Sequence, residues 1–300
     1  MLRILLFLAT NIAVIALASL TLWLLGVESY FTSQGIDFKA LLIFCLVFGM
    51  SGSIISLLLS KPMAKWATHT RVIDDRTADM KEARLVETVR QLAQQANIGM
   101  PDVGVFPAEQ ANAFATGWNK NGALVSISRG MLDRYSEGEI RAVLAHEISH
   151  VANGDMVTLS LIQGVINAFV MFLARAIGFV IDRVVLKNEN GHGLGYVVTV
   201  FVCQIVLSIL ASIIVMWFSR KREYAADSGA AYLVGAPLMI SALAHLQRES
   251  EMPDEMPASL NAFGISEGKR EGFSLAKLFT SHPPLDKRIE ALQNFSAPVY

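Results

Sequence analysis

The stretch AVLAHEISHVANGD, residues 142–155, places His146 and His150 four positions apart with Glu147 directly after the first histidine. On a helix, residues i and i+4 are neighbours on one face, so both imidazoles can reach one ion. Zinc takes histidine nitrogens at about 2.0–2.1 Å. Glu147 is turned about 100° from His146, near enough to touch a water beside the metal without ligating it. The spacing H-E-x-x-H therefore fits a site in which a metal acidifies water and a carboxylate takes its proton during attack on a peptide carbonyl. With 6 histidines in 300 residues, this pattern arises by chance in about a few chains per thousand. The flanking residues are apolar, where unsatisfied imidazoles would be costly.

A catalytic zinc has three protein ligands and one open position. The extended pattern H-E-x-x-H-x-x-G-x-x-H fails: Gly154 is one position late and Met156 stands where the last histidine would fall. The third ligand must come from Asp155, Glu223, Asp227, His245 or His282. Asp155 lies five residues past His150, which on a continuous helix turns it to a different face. REYAAD, residues 222–227, offers Glu223 and Asp227 at i and i+4. One of these could ligate the metal and the other hold the far nitrogen of a ligating histidine.

The elements that must position these residues are set by the apolar runs. Leu2–Leu25, Ala40–Ser60 and Leu194–Phe218 are each long enough to cross a membrane core about 30 Å thick. A fourth run, Val157–Leu186, contains Arg175, Asp182 and Arg183, but Arg175 falls near its far end, where its stem can snorkel. Four transmembrane helices are expected, at about 2–25, 40–60, 158–180 and 194–218. ALAS at residues 16–19 resembles a signal-peptidase site, but the apolar run continues past it, as in an uncleaved anchor. Arg3, Lys61, Lys65, Arg71, Arg220, Lys221 and Arg222 gather at one side of the spans, against Lys39, Arg183 and Lys187 at the other. The richer side is expected to be cytoplasmic, with both termini. Two crossings between His150 and Glu223 return the chain to the side it left, so both motifs reach the same depth; this favours Glu223 as third ligand.

The expected organisation is a transmembrane hairpin in 1–60, a first protease segment in 61–156 holding the histidines, a second transmembrane hairpin in 157–218, and a second protease segment in 219–300. The hydrophobic fraction of 53% and charged fraction of 17%, with mean hydropathy +0.45, agree with an integral membrane protein. A formal net charge of −1 speaks against a nucleic-acid partner, which needs a basic face. Cys45 and Cys203 lie in apolar runs and read as buried thiols.

Within the polar segments, Thr77–Asn97 reads as a helix with Val86, Val89, Leu92, Ala93 and Ala96 on one face. Asp102–Phe106, Asn112–Thr116 and Ala123–Ser128 read as strands of a small antiparallel meander. Arg129–Tyr135 reads as a turn of helix. Ser136 and Glu139 form a capping box that opens the histidine helix. Glu249–Gly272, rich in charge, Pro, Ser and Gly, is expected to be mobile. The fold class is mostly α with a small antiparallel meander, carrying a zincin-like domain on the cytoplasmic side of the four spans.

The chain resembles the metallopeptidase family that contains bacterial membrane-bound heat-shock zinc proteases and the CaaX prenyl endopeptidases. The resemblance runs through MLRILLFLATNIAV at the start, NAFATG at 112–117, HEISHVANGDMVTLSLIQGV at 146–165, ASIIVMWFSRKREYAAD at 211–227 and SHPPLDKRIEAL at 281–292. It implies one Zn2+ held by His146, His150 and Glu223, with Glu147 as general base and Asp227 behind a ligand. It also implies quality control of misfolded or unassembled membrane proteins at the inner membrane. NAFATG, with Asn112, Ala113, Phe114 and Ala115, could pair an extended substrate along a free strand edge. His282, held extended before two prolines, could donate to the oxyanion opposite Glu147.

Two other readings are open. One is a metal-binding membrane scaffold or regulator without catalysis. The other is a prenyl-protein processing enzyme, which would need an enclosed intramembrane chamber that four spans are too few to build.

Overall fold

A computed structural model describes residues 12, 15–25, 31–32, 35–188, 193–249 and 281–295. The chain divides into two compact units, Met1–Leu57 with Thr158–Val215, and Leu58–Val157 with Met216–Tyr300. The expected mobile stretch 249–272 lies outside the described residues apart from Glu249, as does much of the first expected span.

The first unit is built on apolar helices. After α1 (Ile15–Leu24) and a short ladder of β1 (Phe31–Thr32) with β2 (Gly35–Ile36), α2 (Phe38–Ala67) begins where the Asp37 carboxylate accepts from the N–H groups of Lys39 and Ala40. Two further long helices follow, α6 (Asp155–Val180), extended by a π turn at Ile181–Val185, and α7 (Leu194–Val234). Among the described residues these three helices are long and apolar enough to cross a membrane. Val197, Phe201, Ile205, Ile209 and Ile214 of α7 are exposed, a run of bare aliphatic and aromatic groups suited to lipid and not to water. α2 and α6 approach closely at Gly49, where a Cβ would stand 2.7 Å from backbone atoms of Gly164 and Ala168. The buried Asp182 carboxylate accepts from the N–H groups of Gly193 and Tyr196, tying the end of α6 to the start of α7. Cys45 and Cys203 are both free; Cys45 is buried and Cys203 is partly exposed.

The second unit holds a four-stranded sheet of β3 (Arg71–Ile73), β4 (Asp102–Phe106), β5 (Ala113–Thr116) and β6 (Leu124–Ser128) in the order β3-β4-β6-β5. The sheet is mixed, which corrects the expected antiparallel meander. β5 and β6 form an antiparallel hairpin, but β4 pairs in parallel with β6. The physical reason is burial. β4, β5 and β6 are all almost wholly buried along their length, as strands of a sheet covered on both faces are, whereas an antiparallel meander commonly leaves one face wet. After β4 the chain crosses to the far position, forms β5 at the edge, and returns as β6 between β5 and β4. Phe106, Phe114 and Leu124 pack with Ala64, from the end of α2, in one apolar cluster.

Helices cover this sheet. α3 (Met80–Gln95) is capped by Asp79, whose side chain accepts from the N–H groups of Lys81 and Glu82. Ser128 caps the short α4 (Arg129–Arg134). α5 (Glu137–Asn153) opens with the capping box of Ser136 and Glu139 and ends at Gly154, whose φ of 68° is left-handed. Residues Ala142–Ser149 are buried without a break, the mark of a helix surrounded on all sides. α8 (Ala236–Glu249) packs against both α5 and α9 (Leu285–Gln293).

Candidate metal centre

α5 and the last third of α7 bring the chemistry together. Where they cross, a Cβ on Gly229 would stand 2.6 Å from Ser149 Oγ, so the absence of a side chain sets how near the helices lie. At that spacing His146 Nε2 and His150 Nε2 are 3.1 Å apart. Glu223 completes a triangle, Oε2 lying 3.6 Å from His146 Nε2 and Oε1 3.3 Å from His150 Nε2. Donor atoms bound tetrahedrally at zinc distances lie roughly 3.3 Å from one another. The set fits such an ion, and the three donors all fall within 4.8 Å of one another.

Each imidazole turns its other nitrogen to a carboxylate. His146 Nδ1 is 2.9 Å from Asp227 Oδ1, and His150 Nδ1 is 2.6 Å from Asp155 Oδ2. A carboxylate only accepts, so each Nδ1 carries the proton and each Nε2 presents its lone pair to the triangle. Burial alone would strip charge from both histidines. The carboxylates outweigh it, raising His146 through Asp227 and Glu223 and pushing His150 up to about 10 through Asp155 and Glu223. Burial likewise opposes ionisation of Glu223, but the neighbouring His282, His146 and His150 hold it well below its ordinary value. The cluster draws positive charge to the space between its imidazoles, a demand that a divalent cation meets.

Glu147 stands apart from this pairing. It is buried, its Oε2 has no hydrogen-bond partner, and burial raises its pKa. Beside it lies a cavity of about 20 Å³ walled by Ala115, Glu147, His150, Asp155, Met156, Arg222 and Glu223. That is room for about one water. An unpaired carboxylate oxygen next to such a space is placed to receive a proton from it.

His282 lies with its Nδ1 2.8 Å from Glu223 Oε2, against the third carboxylate and not on the wall of the cavity. β5 is an edge strand of the sheet, and of the expected substrate-binding residues only Ala115 borders the cavity. Phe114 is committed to the apolar core beside Phe106, and Asn112 N–H donates to Ser128 Oγ. His245, one alternative for the third ligand, is elsewhere, 3.3 Å from Glu139.

Three residues take roles at the site that their sequence positions do not predict. Asp155 was assigned a different face because α5 was extrapolated through it; the left-handed Gly154 breaks the helix and swings the carboxylate back to His150. Gly154 itself was the available signal. Arg288 of α9 is fully buried and donates through Nε and Nη2 to the two Asp227 oxygens at 2.8 and 2.7 Å, with Nη1 3.3 Å from Glu223 Oε2. Nothing in its local spacing marks it, since its partner is 61 residues away. Arg222, read only as part of the basic flank of a span, borders the cavity.

A mostly helical protein with apolar spanning helices and a His-His-Glu cluster is of the membrane metallopeptidase kind. Residues 79–296 match the model of peptidase family M48, and the chain belongs to that family. It is 63% identical to a protein from Hahella chejuensis named Protease HtpX, over 97% of this chain and 99% of that one. It is 57% identical to the Protease HtpX of Acinetobacter baylyi, over 99% of this chain and 100% of that one. The crystal structure of S. mikatae Ste24p has a similar fold, with a TM-score of 0.60 at 20% identity, covering 84% of this chain and 58% of that chain.

Proposed function

We propose that this peptidase is a zinc-dependent endopeptidase of the bacterial cytoplasmic membrane. His146, His150 and Glu223 would hold the ion, and zinc bound there would polarise a carbonyl and lower the pKa of water to about 7. The observation that carries the reading is the buried Glu147 oxygen without a partner, beside a water-sized cavity that it shares with His150 and Glu223. Glu147 takes the proton of the attacking water and returns it to the departing amine. Burial raises its pKa, which makes it a readier proton acceptor than an exposed carboxylate. Asp227 and Asp155 fix the tautomers of the two histidines, and His282 orients the Glu223 carboxylate. An extended peptide would lie along the edge strand β5, so that its scissile bond reaches the cavity past Ala115.

In this reading the chain spans the membrane four times. Residues 61–156 and 219–300 form the cytoplasmic protease domain, and 1–60 and 157–218 form the hairpins. The lysine and arginine asymmetry around the spans supports that orientation. The substrates would be misfolded or unassembled membrane proteins, which present the extended chain that an edge strand can pair.

The test is cleavage of an unfolded protein such as casein by full-length protein purified in detergent with a chelator, then supplied with zinc. Cleavage is expected only with zinc, and Glu147→Gln should lose it by at least about 100-fold while still binding one equivalent of metal. Glu147→Gln protein that cleaves as well as wild type would refute the assignment of the base. A Glu147→Gln variant that also keeps full cellular function would favour the scaffold reading.

A further inference from the structure

Apart from Glu147, the charged groups around the metal cluster are paired among the described residues with one exception, and that exception is a cation. His146, His150 and His282 face carboxylates, and Arg288 faces two of them. Arg222 takes part in no ion pair among the described residues, although it is largely enclosed. Its Nη1 donates to the backbone oxygen of Asp155 at 3.0 Å and its Nη2 to Ser219 Oγ at 3.2 Å. These two bonds to neutral acceptors immobilise the guanidinium. Its Nε is buried and without a hydrogen-bond partner. A desolvated cation with a vacant donor is costly to keep. The residue lies on the wall of the cavity that also holds Glu147 and His150.

We infer that Arg222 is a further catalytic residue, whose guanidinium accepts the negative charge that develops on the scissile carbonyl oxygen of a peptide substrate. This rests on the peptidase reading and deepens it. As the water oxygen bonds to the carbonyl carbon, its proton passes to Glu147 and the carbonyl π pair moves onto the carbonyl oxygen. That oxygen becomes the anion for which Arg222, the cation of the cavity wall with no ion-pair partner among the described residues, is the available donor. When the C–N bond breaks, the pair returns to the carbonyl and the Glu147 proton goes to the leaving nitrogen. A donor already fixed in place needs no reorganisation at the moment charge appears, which is where such groups have their effect. His282, the donor expected from the sequence, has its Nδ1 2.8 Å from Glu223 Oε2, and Arg222 would act beside it.

Arg222→Met and Arg222→Lys in the full-length, zinc-loaded protein test the assignment. Arg222→Met is expected to lower kcat by about 100-fold, the scale for loss of one such donor, with KM little changed. Zinc affinity and the thermal unfolding midpoint should match wild type. A phosphonamidate peptide, which carries the tetrahedral oxygens, should lose affinity by the same factor as kcat/KM. Arg222→Lys should recover part of the loss. Unchanged kcat, a loss confined to acidic peptides, or a loss that follows falling zinc affinity would each overturn the assignment, the last by showing that Arg222 acts through Asp155. Wild-type protein that cleaves nothing with zinc would sink the peptidase reading and Arg222 with it. Wild-type protein that cleaves no better than Arg222→Met sinks this assignment alone.

Discussion

Arg288 and Asp227 meet through two nitrogen–oxygen contacts of 2.8 and 2.7 Å, with side-chain exposures of 0% and 3%. The pair joins α9 to α7, and through His146 it reaches the metal cluster. Burial would raise the Asp227 pKa, but Arg288 holds it down at about 2. Breaking a buried pair by removing one partner costs about 3–5 kcal/mol, because the other charge is left behind. Arg288→Met should therefore destabilise the protease unit by that amount. It should also weaken zinc binding by about 10–100-fold, the usual effect of losing a group that orients a ligand. Denaturant unfolding and competition with a chromophoric chelator measure the two. In a double-mutant cycle, Arg288→Met with Asp227→Asn should cost less than the sum of the single changes. Strict additivity would mean that the pair does not act as a unit.

The crossing of α5 and α7 at Gly229 sets two effects of opposite sign against each other. Alanine in place of glycine inside a helix is worth about 1 kcal/mol by propensity. Here the added Cβ would meet Ser149 Oγ at 2.6 Å and Ser149 Cβ at 2.8 Å, and overpacking costs about 1–3 kcal/mol. The Ser149 hydroxyl cannot turn away freely, because it is bonded to Ala145 O at 2.7 Å. Gly229→Ala should be destabilising on balance. It should also lower zinc affinity, since it pushes Glu223 and Asp227 away from the histidine helix. A variant as stable as wild type with unaltered zinc affinity would show that the helix spacing is not set at this residue.

Acid should loosen the start of the histidine helix. Burial pushes the Glu139 carboxyl up. The Ser136 N–H and hydroxyl, with Ser241 and His245, outweigh it and hold the group below its ordinary value of 4.5. A depressed carboxyl stabilises the fold fully above the unfolded value and loses that stability as pH falls through the folded one. The thermal midpoint should drop as pH falls below about 4.5, and Glu139→Gln should flatten the upper part of that fall. Asp227, held at about 2, should give a further loss between about 3.8 and 2 that Glu139→Gln leaves in place. Ser136→Ala should cost about 1 kcal/mol at neutral pH, as a lost N-cap. An acid limb identical in Glu139→Gln and wild type would exclude Glu139 as its source.

These features differ in how visible they are along the chain. The histidine pair, the capping box and the apolar spans are local patterns, and helical or extended periodicity exposes them directly. Glu223 and Asp227 were visible as a pair, and the two crossings between His150 and Glu223 favoured Glu223 among five candidates, but its distance to His146 is a property of the crossing at Gly229 and not of sequence distance. Asp155 was misassigned for want of one backbone angle at Gly154. Three strand positions, 102–106, 112–116 and 123–128, were legible within a residue or so, but β3 at Arg71–Ile73 was not, being three residues with only Ile73 buried; the strand order was not legible either, since β4 and β6 pair in parallel across the intervening β5. Arg288 and Arg222 carry no spacing signal at all. Their roles exist only once partners 61 and 67 residues away are brought within hydrogen-bonding distance.

The donor set also fixes which ion should matter. Two imidazole nitrogens and one carboxylate oxygen form the triangle, a set that suits zinc. Magnesium and calcium seek oxygen ligands in larger number. The histidines are already backed by Asp227 and Asp155, so binding need not first build the site, and its free energy adds to the stability of the unit. At a free zinc concentration a thousand times Kd, that addition is about 4.1 kcal/mol. A unit of roughly 150–250 residues shifts its midpoint by about 2–4 °C per kcal/mol. Chelator-treated protein should then unfold about 8–16 °C higher when zinc is restored, and millimolar magnesium should not reproduce the rise. Glu147→Gln should keep the zinc response, because that carboxylate makes no ligand contact, whereas Glu223→Ala should abolish most of it. A rise with magnesium equal to that with zinc, or an undiminished zinc response in Glu223→Ala, would mean that the ion is held by some other group of residues.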